Sequence, residues 1–212
     1  MPWGRATNYA TGPEKISYFN KFSDKMIQMI IIGVTGTIGA GKGTIVEYLI
    51  QHKGFKHFSA RGFLIEEIEK RNLEINRDNM VLVANDLREK NSPSFVADEL
   101  FKRALESGQN CVIESLRTVG EIVSLRQKGN FTLLAVNTDP KLRYERILGR
   151  LSNTDDISFE KFLSDEEREM ESDDPNKQNL KKCIEMADYV ILNNKDINYL
   201  NQQIEEIYGK IK

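Results

Sequence analysis

The chain of 212 residues has only two cysteines, two histidines and one tryptophan. Cys111 and Cys183 lie far apart and form no CxxC pair. That excludes a disulfide framework and a cysteine zinc site, and each reads as a small buried thiol in a reducing compartment. An excess of charge of one sign is also missing. Lys and Arg number 30 against 32 Asp and Glu, a net charge of -2, which argues against gripping a nucleic-acid backbone. No apolar run approaches the roughly 18 residues of a membrane span. Residues 1–28 lack the apolar core of a secretion signal. The expected address is cytoplasmic, with a small molecule as partner in place of nucleic acid or membrane, and the chain a monomer or homodimer. His52 and His57 flank a turn without ligand-spaced partners and read as surface or satisfied histidines.

The 40% hydrophobic and 29% charged residues suit a globular chain with one sizeable core. Residues 1–28 stand apart. MPWGRATNYATG is polar and turn-rich, and Pro13 then opens a short helical pattern with Ile16, Phe19, Phe22 and Met26 on one stripe. This is either an extension that docks on the body or an appended remnant. From Met29 onward apolar runs at 29–35, 55–59, 110–115, 131–137 and 188–193 alternate with helix signals. Ser92-Pro93 opens a helix carrying Ala97, Leu100, Phe101, Ala104 and Leu105, and Gly108 closes it. Asp139-Pro140 and Asp174-Pro175 repeat that opening, and a last helix over 197–209 turns Ile197, Leu200, Ile204 and Ile207 inward. The alternation predicts an α/β fold, a three-layer α/β/α sandwich around a five-stranded parallel sheet.

The first apolar run leads into the loop Gly36-Thr37-Ile38-Gly39-Ala40-Gly41-Lys42-Gly43-Thr44, and a helix over about 42–52 follows. A strand, then glycines, a lysine and a helix is the context of a P-loop. Glycines let the backbone close around a phosphate, the helix N-terminus adds its positive end, and Lys42 reaches the β- and γ-phosphates. Tight packing alone also produces glycine-rich turns but does not account for the lysine. The usual hydroxyl position holds Gly43, and Thr44 comes one place later.

GxxGxGKGT resembles the loop of the nucleoside monophosphate kinase group, adenylate kinase above all. "GVTGTIGAGKGT" and "CIEMADYVILNN" also resemble the dephospho-CoA kinase branch. The resemblance covers most of residues 29–210. It implies ATP with Mg²⁺ as cofactor, a small helical lid at about 150–172, and phosphotransfer to a small nucleotide. In "RYERILGR", Arg143, Arg146 and Arg150 are spaced for one helix face, which alone reads as solvated arginines paired to Glu145. The segment is similar to the entry of the adenylate kinase lid, which implies catalytic roles for Arg146 and Arg150 and a far lid arginine at Arg168. No metal-binding cysteines hold this lid, so it must hold itself by packing.

"VIESLR" ends a strand with Glu114 and Arg117. It is similar to the "DGFPR" of the group, which implies Glu114 near the magnesium, through water, and Arg117 forked onto an acceptor phosphate. Thr44 helps at phosphate or metal. In "FSARGF" the AMP-binding arginine of the group falls on Ile65 and is absent, as is the acidic pair of dephospho-CoA kinases; Arg61 is the replacement phosphate ligand. A hydroxyl acceptor needs a carboxylate to take its proton, and a phosphate acceptor does not. The segment therefore favours a phosphate acceptor, with Glu66 or Glu67 left as a possible base. Arg88 stands on the acceptor side or is a surface arginine paired to Asp86 or Glu89. Asn193 and Asn194, in "NNKDIN", are placed to help hold adenine, and Ile197 in place of the required Asp disfavours a GTPase.

The expected activity is transfer of the γ-phosphoryl of Mg·ATP to a nucleoside or deoxynucleoside monophosphate, with dephospho-CoA as runner-up. A small-metabolite kinase of the shikimate or gluconate type is weakened by the missing carboxylate. The competing class is an ATP-binding regulatory module without phosphotransfer.

Overall fold

The computed structural model describes residues 29–149 and 158–211. The expected N-terminal helix, Arg150 and the first residues of the lid lie outside the described residues. Five strands, β1 (Ile31–Gly36), β2 (Lys56–Ser59), β3 (Cys111–Glu114), β4 (Phe131–Asn137) and β5 (Tyr189–Leu192), form one parallel sheet in the order β2-β3-β1-β4-β5. Each lies within two residues of the apolar run that predicted it. The register is fixed by alternation across two buried faces. Ile31, Cys111, Ile113 and Leu133 enter one core, and Ile32, Val34, Val112, Leu134 and Val136 enter the other.

The second core is covered by α1 (Lys42–Lys53), through Ile45, Val46 and Leu49, and by α9 (Ile197–Ile211), through Leu200, Ile204 and Ile207. The first is covered by α2 (Ala60–Lys70), α3 (Arg77–Lys90), α4 (Phe95–Ser107), α5 (Val119–Arg126) and α8 (Leu180–Glu185). Fully burying one such Leu, Ile or Val contributes about 1.5–3 kcal/mol, so these two faces carry most of the favourable energy of folding. Remaining helices are α6 (Pro140–Leu148) and α7 (Phe159–Met170). Where the sequence puts the lid, α7 packs by aromatic rings: Phe162 is fully buried, and Tyr144 of α6 meets Phe159 and Phe162 at 5.0 and 5.6 Å.

Three local expectations fail. The helix after Ser92-Pro93 opens at Phe95 with Ser94 at its N-cap, because Pro93 serves the neighbouring helix. Its carbonyl accepts the Thr118 hydroxyl at 2.9 Å, and its ring leaves no room for a side chain at Gly120. Asp174-Pro175 forms a turn closed by Asp174, which accepts from Asn176 N and Lys177 N. The helix waits for Asn179, whose side chain caps Lys182 N. Ile197 at the start of α9 is 51% exposed, ahead of the turn that meets the sheet.

The central strand β1 has β3 on one side and β4 on the other, so the chain reverses direction across the sheet at its carboxyl end. A crevice opens at such a point in a parallel α/β sheet, and the glycine loop leaves β1 there.

Candidate active site

A cavity of about 480 Å³ lies at that end of the sheet. One wall is the loop itself. Gly39 takes φ +76°, and a Cβ there would come within 2.6 Å of the Arg143 carbonyl on α6. Gly41 takes φ +101° as the N-cap of α1, and a side chain would collide with Asn193 Nδ2. These conformations suit glycine and bring backbone to the cavity. Helix α1 opens without a side-chain cap, and its N-terminus presents the positive end of the helix to an anion. Lys42, the first residue of α1, is buried and folds back across the loop, its Nζ donating to the Gly36 and Thr37 carbonyls at 2.9 Å each. Ile38, Gly39, Gly41, Lys42 and Gly43 all line the cavity, whereas Thr44 does not.

Neighbouring elements hold the loop from behind. Arg143 is 4% exposed; it donates from Nε to the Thr138 carbonyl at 2.9 Å and from Nη1 to the Ile38 carbonyl at 3.3 Å. Glu166 of α7 pairs with both of its terminal nitrogens. Asn193 donates from Nδ2 to the Ala40 carbonyl at 2.9 Å, and its own carbonyl accepts from Arg146 Nη2 at 3.0 Å. Asn194 Oδ1 accepts from Asp139 N at the start of α6. The two asparagines therefore brace the loop and the turn into α6, and neither lines the cavity. Arg146 sits at this brace, close to Gly41.

The opposite wall carries the acceptor-side candidates. Glu114 ends β3 in register with Val34, which sets its carboxylate beside Lys42. His57 Nε2 lies 3.2 Å from Glu114 Oε2. Burial alone would raise the Glu114 pKa, but the His57 hydrogen bond and the charges of Lys42, His57 and Arg117 outweigh it and hold the carboxyl below its ordinary 4.5. Next comes Ser115 at φ +72°, a non-glycine residue in left-handed backbone, a conformation that costs about 1–3 kcal/mol and persists only where its surroundings impose it. Its N–H and that of Leu116 both donate to the Val34 carbonyl, so the end of β1 imposes it.

Arg117 follows and donates from Nη1 to Glu169 Oε2 and to Gln178 Oε1, the latter at 2.8 Å. Arg77, the first residue of α3, donates to Glu169 Oε1 at 2.8 Å. Burial would raise the Glu169 pKa, but Arg117 and Arg77 together hold it low. Arg88 is 3% exposed and donates from Nη2 to Glu121 Oε1 at 3.0 Å. Of the two readings of Arg88, the surface pairing to Asp86 or Glu89 gives way to a buried pair that reaches across to α5. Nε and Nη1 of Arg88 are buried without a hydrogen-bond partner among the described residues. Arg61 lines the cavity from the start of α2.

Arg168 does not join this group. Its Nη1 pairs with Asp78 at 2.9 Å on the surface, away from the cavity lining. Glu66 is engaged by Arg103 and Glu67 by Lys70, and neither lines the cavity. Among the described residues, five cationic side chains line it, Lys42, Arg61, Arg77, Arg88 and Arg117, against the carboxylates Glu114 and Glu169. Leu64, Met80, Val81 and Ala84 supply an apolar flank.

Sequence reasoning missed Arg77, Ser115, Glu169 and Gln178. A signal existed for Glu169: it shares one face of α7 with Phe162 and Asp165, so the face that turns Phe162 inward also carries two carboxylates that require cations.

The family model described as an AAA domain matches residues 32–174, from β1 through α7. The chain belongs to the AAA domain family. It is also 30% identical over 189 residues to a UPF0200 protein of Thermococcus onnurineus, with 86% of this chain and 98% of the relative covered. TT1252 from Thermus thermophilus superposes with a TM-score of 0.58 at 18% identity, covering 87% of this chain and 98% of that one. An unliganded sugar kinase from Janibacter sp. HTCC2649 gives 0.50 at 16% identity, with 86% and 98% covered. At these identities the likeness of the AAA domain chain to the two structures is one of fold.

Proposed function

We propose that this AAA domain protein is an ATP-dependent phosphotransferase whose acceptor is a small molecule that already carries a phosphate, a nucleoside or deoxynucleoside monophosphate before dephospho-CoA. The observation that carries this reading is the single cavity joining Lys42 and the glycine loop to Arg77, Arg88 and Arg117. A donor's phosphates fit the loop side, where glycines clear space, α1 presents its positive N-terminus and Lys42 supplies a charge. An acceptor's phosphate fits the arginine side.

The carboxylates support a phosphate acceptor over a hydroxyl. Among the described residues Glu114 and Glu169 are the acids that line the cavity, and both are held below the ordinary 4.5 by cations. Each is a poor proton acceptor near neutral pH. Glu66 and Glu67, the remaining candidates for a base, are engaged outside it. Magnesium accompanying the nucleotide supplies neutralisation of charge on the β- and γ-phosphates. Among the described residues no group of three or more acidic, histidine or cysteine side chains gathers to hold a metal on its own. Of the two residues expected near magnesium, Glu114 lines the cavity, and Thr44 stands one residue outside it. Arg146, already drawn to the Asn193 carbonyl beside Gly41, is a lid-side cation close to the loop.

Coupled ADP release from Mg·ATP, run with each ribo- and deoxyribonucleoside monophosphate and with dephospho-CoA, tests the proposal. The expected result is ADP release that depends on one class of monophosphate. Turnover with dephospho-CoA alone would put a base on the acceptor side. ATP binding without release on any acceptor would favour the regulatory module.

A further inference from the structure

The Glu169 carboxylate occupies an unusual position. It comes from α7, is 3% exposed, and sits with one oxygen on Arg77 and the other on Arg117. These guanidinium groups belong to different elements, the start of α3 and the loop after β3, and they converge on a single anion. Arg88, in the same lining, keeps Nε and Nη1 buried and without a hydrogen-bond partner among the described residues. The cluster therefore holds more donors than one carboxylate satisfies. Arg117 takes a second acceptor, Gln178 Oε1, and Asp165 Oδ2 stands 3.6 Å from Arg77 Nε.

We infer that the seat between Arg77 and Arg117 is a phosphate-monoester site and that Glu169 is its resident competitor. A monoester dianion carries three terminal oxygens and about two charges, so it satisfies Arg77 and Arg117 together and still offers an oxygen to Arg88. A carboxylate ligand offers no more than Glu169 already does, and a neutral hydroxyl offers less. Glu169 thus screens acceptors: only a ligand with greater charge and more acceptor oxygens displaces it. Arg77 becomes a ligand of the acceptor phosphate, a role that no local sequence pattern assigns. The inference rests on reading this side of the cavity as the acceptor side, and it deepens that reading by naming the group bound and its gatekeeper.

Binding of methyl phosphate to the full chain, measured by calorimetry at constant ionic strength without ATP, tests it independently of turnover. Glu169→Gln keeps the shape and removes the competing charge. Methyl phosphate should bind the variant about ten- to a hundredfold tighter than the wild type, the equivalent of a released hydrogen bond to a charged group. Arg77→Gln should abolish the gain when combined with it. Unchanged or weaker binding by a Glu169→Gln protein with native circular dichroism would overturn the inference, since a merely structural carboxylate leaves the arginines less well placed when removed. The wild-type chain gives a second readout that needs no variant. Methyl phosphate should shift the Nε–H resonances of both Arg77 and Arg117, and absence of a shift at either would overturn the assignment. If these results hold while no acceptor supports ADP release, the phosphate site stands and the transfer reaction falls.

Discussion

Replacing Gly39 by alanine separates the loop's geometry from its composition. The residue takes φ +76°, where an L side chain costs about 1–2 kcal/mol. The new Cβ would stand 2.6 Å from the Arg143 carbonyl oxygen and 3.0 Å from the Arg143 Cβ. Arg143 cannot retreat cheaply. Its side chain is anchored by the Thr138 and Ile38 carbonyls and by Glu166, and its N–H bonds the Asp139 carbonyl inside α6. Overpacking against such a neighbour costs a further ~1–3 kcal/mol. Gly39→Ala should therefore lose about 2–5 kcal/mol, a fall in Tm of roughly 4–20 °C for a chain of this size. Gly43→Ala is the control. Its Cβ would meet nothing within 4 Å among the described residues, and it sits in the first turn of α1, so stability should be unchanged or up to about 1 kcal/mol higher. Urea unfolding and thermal melts of both variants measure this. A Gly39→Ala protein within about 0.5 kcal/mol of wild type would refute the claim that the loop's shape depends on this glycine.

Other outcomes follow from the same geometry. Glu121→Ala should cost about 3–5 kcal/mol in urea titration, because Arg88 is left as an uncompensated buried charge and the Arg117 and Thr118 N–H groups lose their acceptor; a cost under about 1 kcal/mol would show that the pair is not buried as described. Lys42→Ala should lower phosphotransfer at least about a hundredfold, worth roughly 3 kcal/mol of transition-state stabilisation, with the fold intact by circular dichroism. Glu114 and Glu169 both have folded pKa values below the ordinary 4.5. The unfolded chain therefore binds protons first, and their stabilisation is full above about pH 4.5 and lost as pH falls through the folded values. Acid titration of Glu169→Gln should show a shallower loss of stability there than wild type, and an equal slope would remove Glu169 from the account. Burial pushes the Cys111 thiol up to about 12, and burial with Glu121 does the same for Cys183. A disulfide reagent should leave both unlabelled in the native chain and label both in urea, so rapid native labelling of either would contradict its placement.

The loop was legible from sequence because its requirements are local: a buried strand, glycines where side chains cannot fit, and a lysine opening a helix. The three central strands were legible too, since burial on both faces makes each a largely apolar run, whereas the edge strands β2 and β5 are partly exposed and carry a weaker signal. What stayed hidden was decided at a distance. Arg88 has its partner 33 residues away on α5, and Arg77 meets Glu169 across 92 residues. Nothing near either arginine announces these pairings. Pro93 followed the local rule for a helix start, yet docking against Thr118 and Gly120 overrode it. Asn193 shows the same limit: the sequence placed it to help hold adenine, whereas its side chain turns inward to the Ala40 carbonyl.

The most direct test of phosphotransfer to a phosphate-bearing acceptor follows the label itself. The chain is incubated with γ-³²P-labelled ATP, magnesium and each nucleoside monophosphate, and the products are resolved chromatographically alongside Lys42→Ala and Arg117→Ala. The account predicts label in a nucleoside diphosphate with the wild-type chain and a loss of at least about a hundredfold in each variant. Label that appears only as inorganic phosphate, or transfer that survives both substitutions, would contradict it.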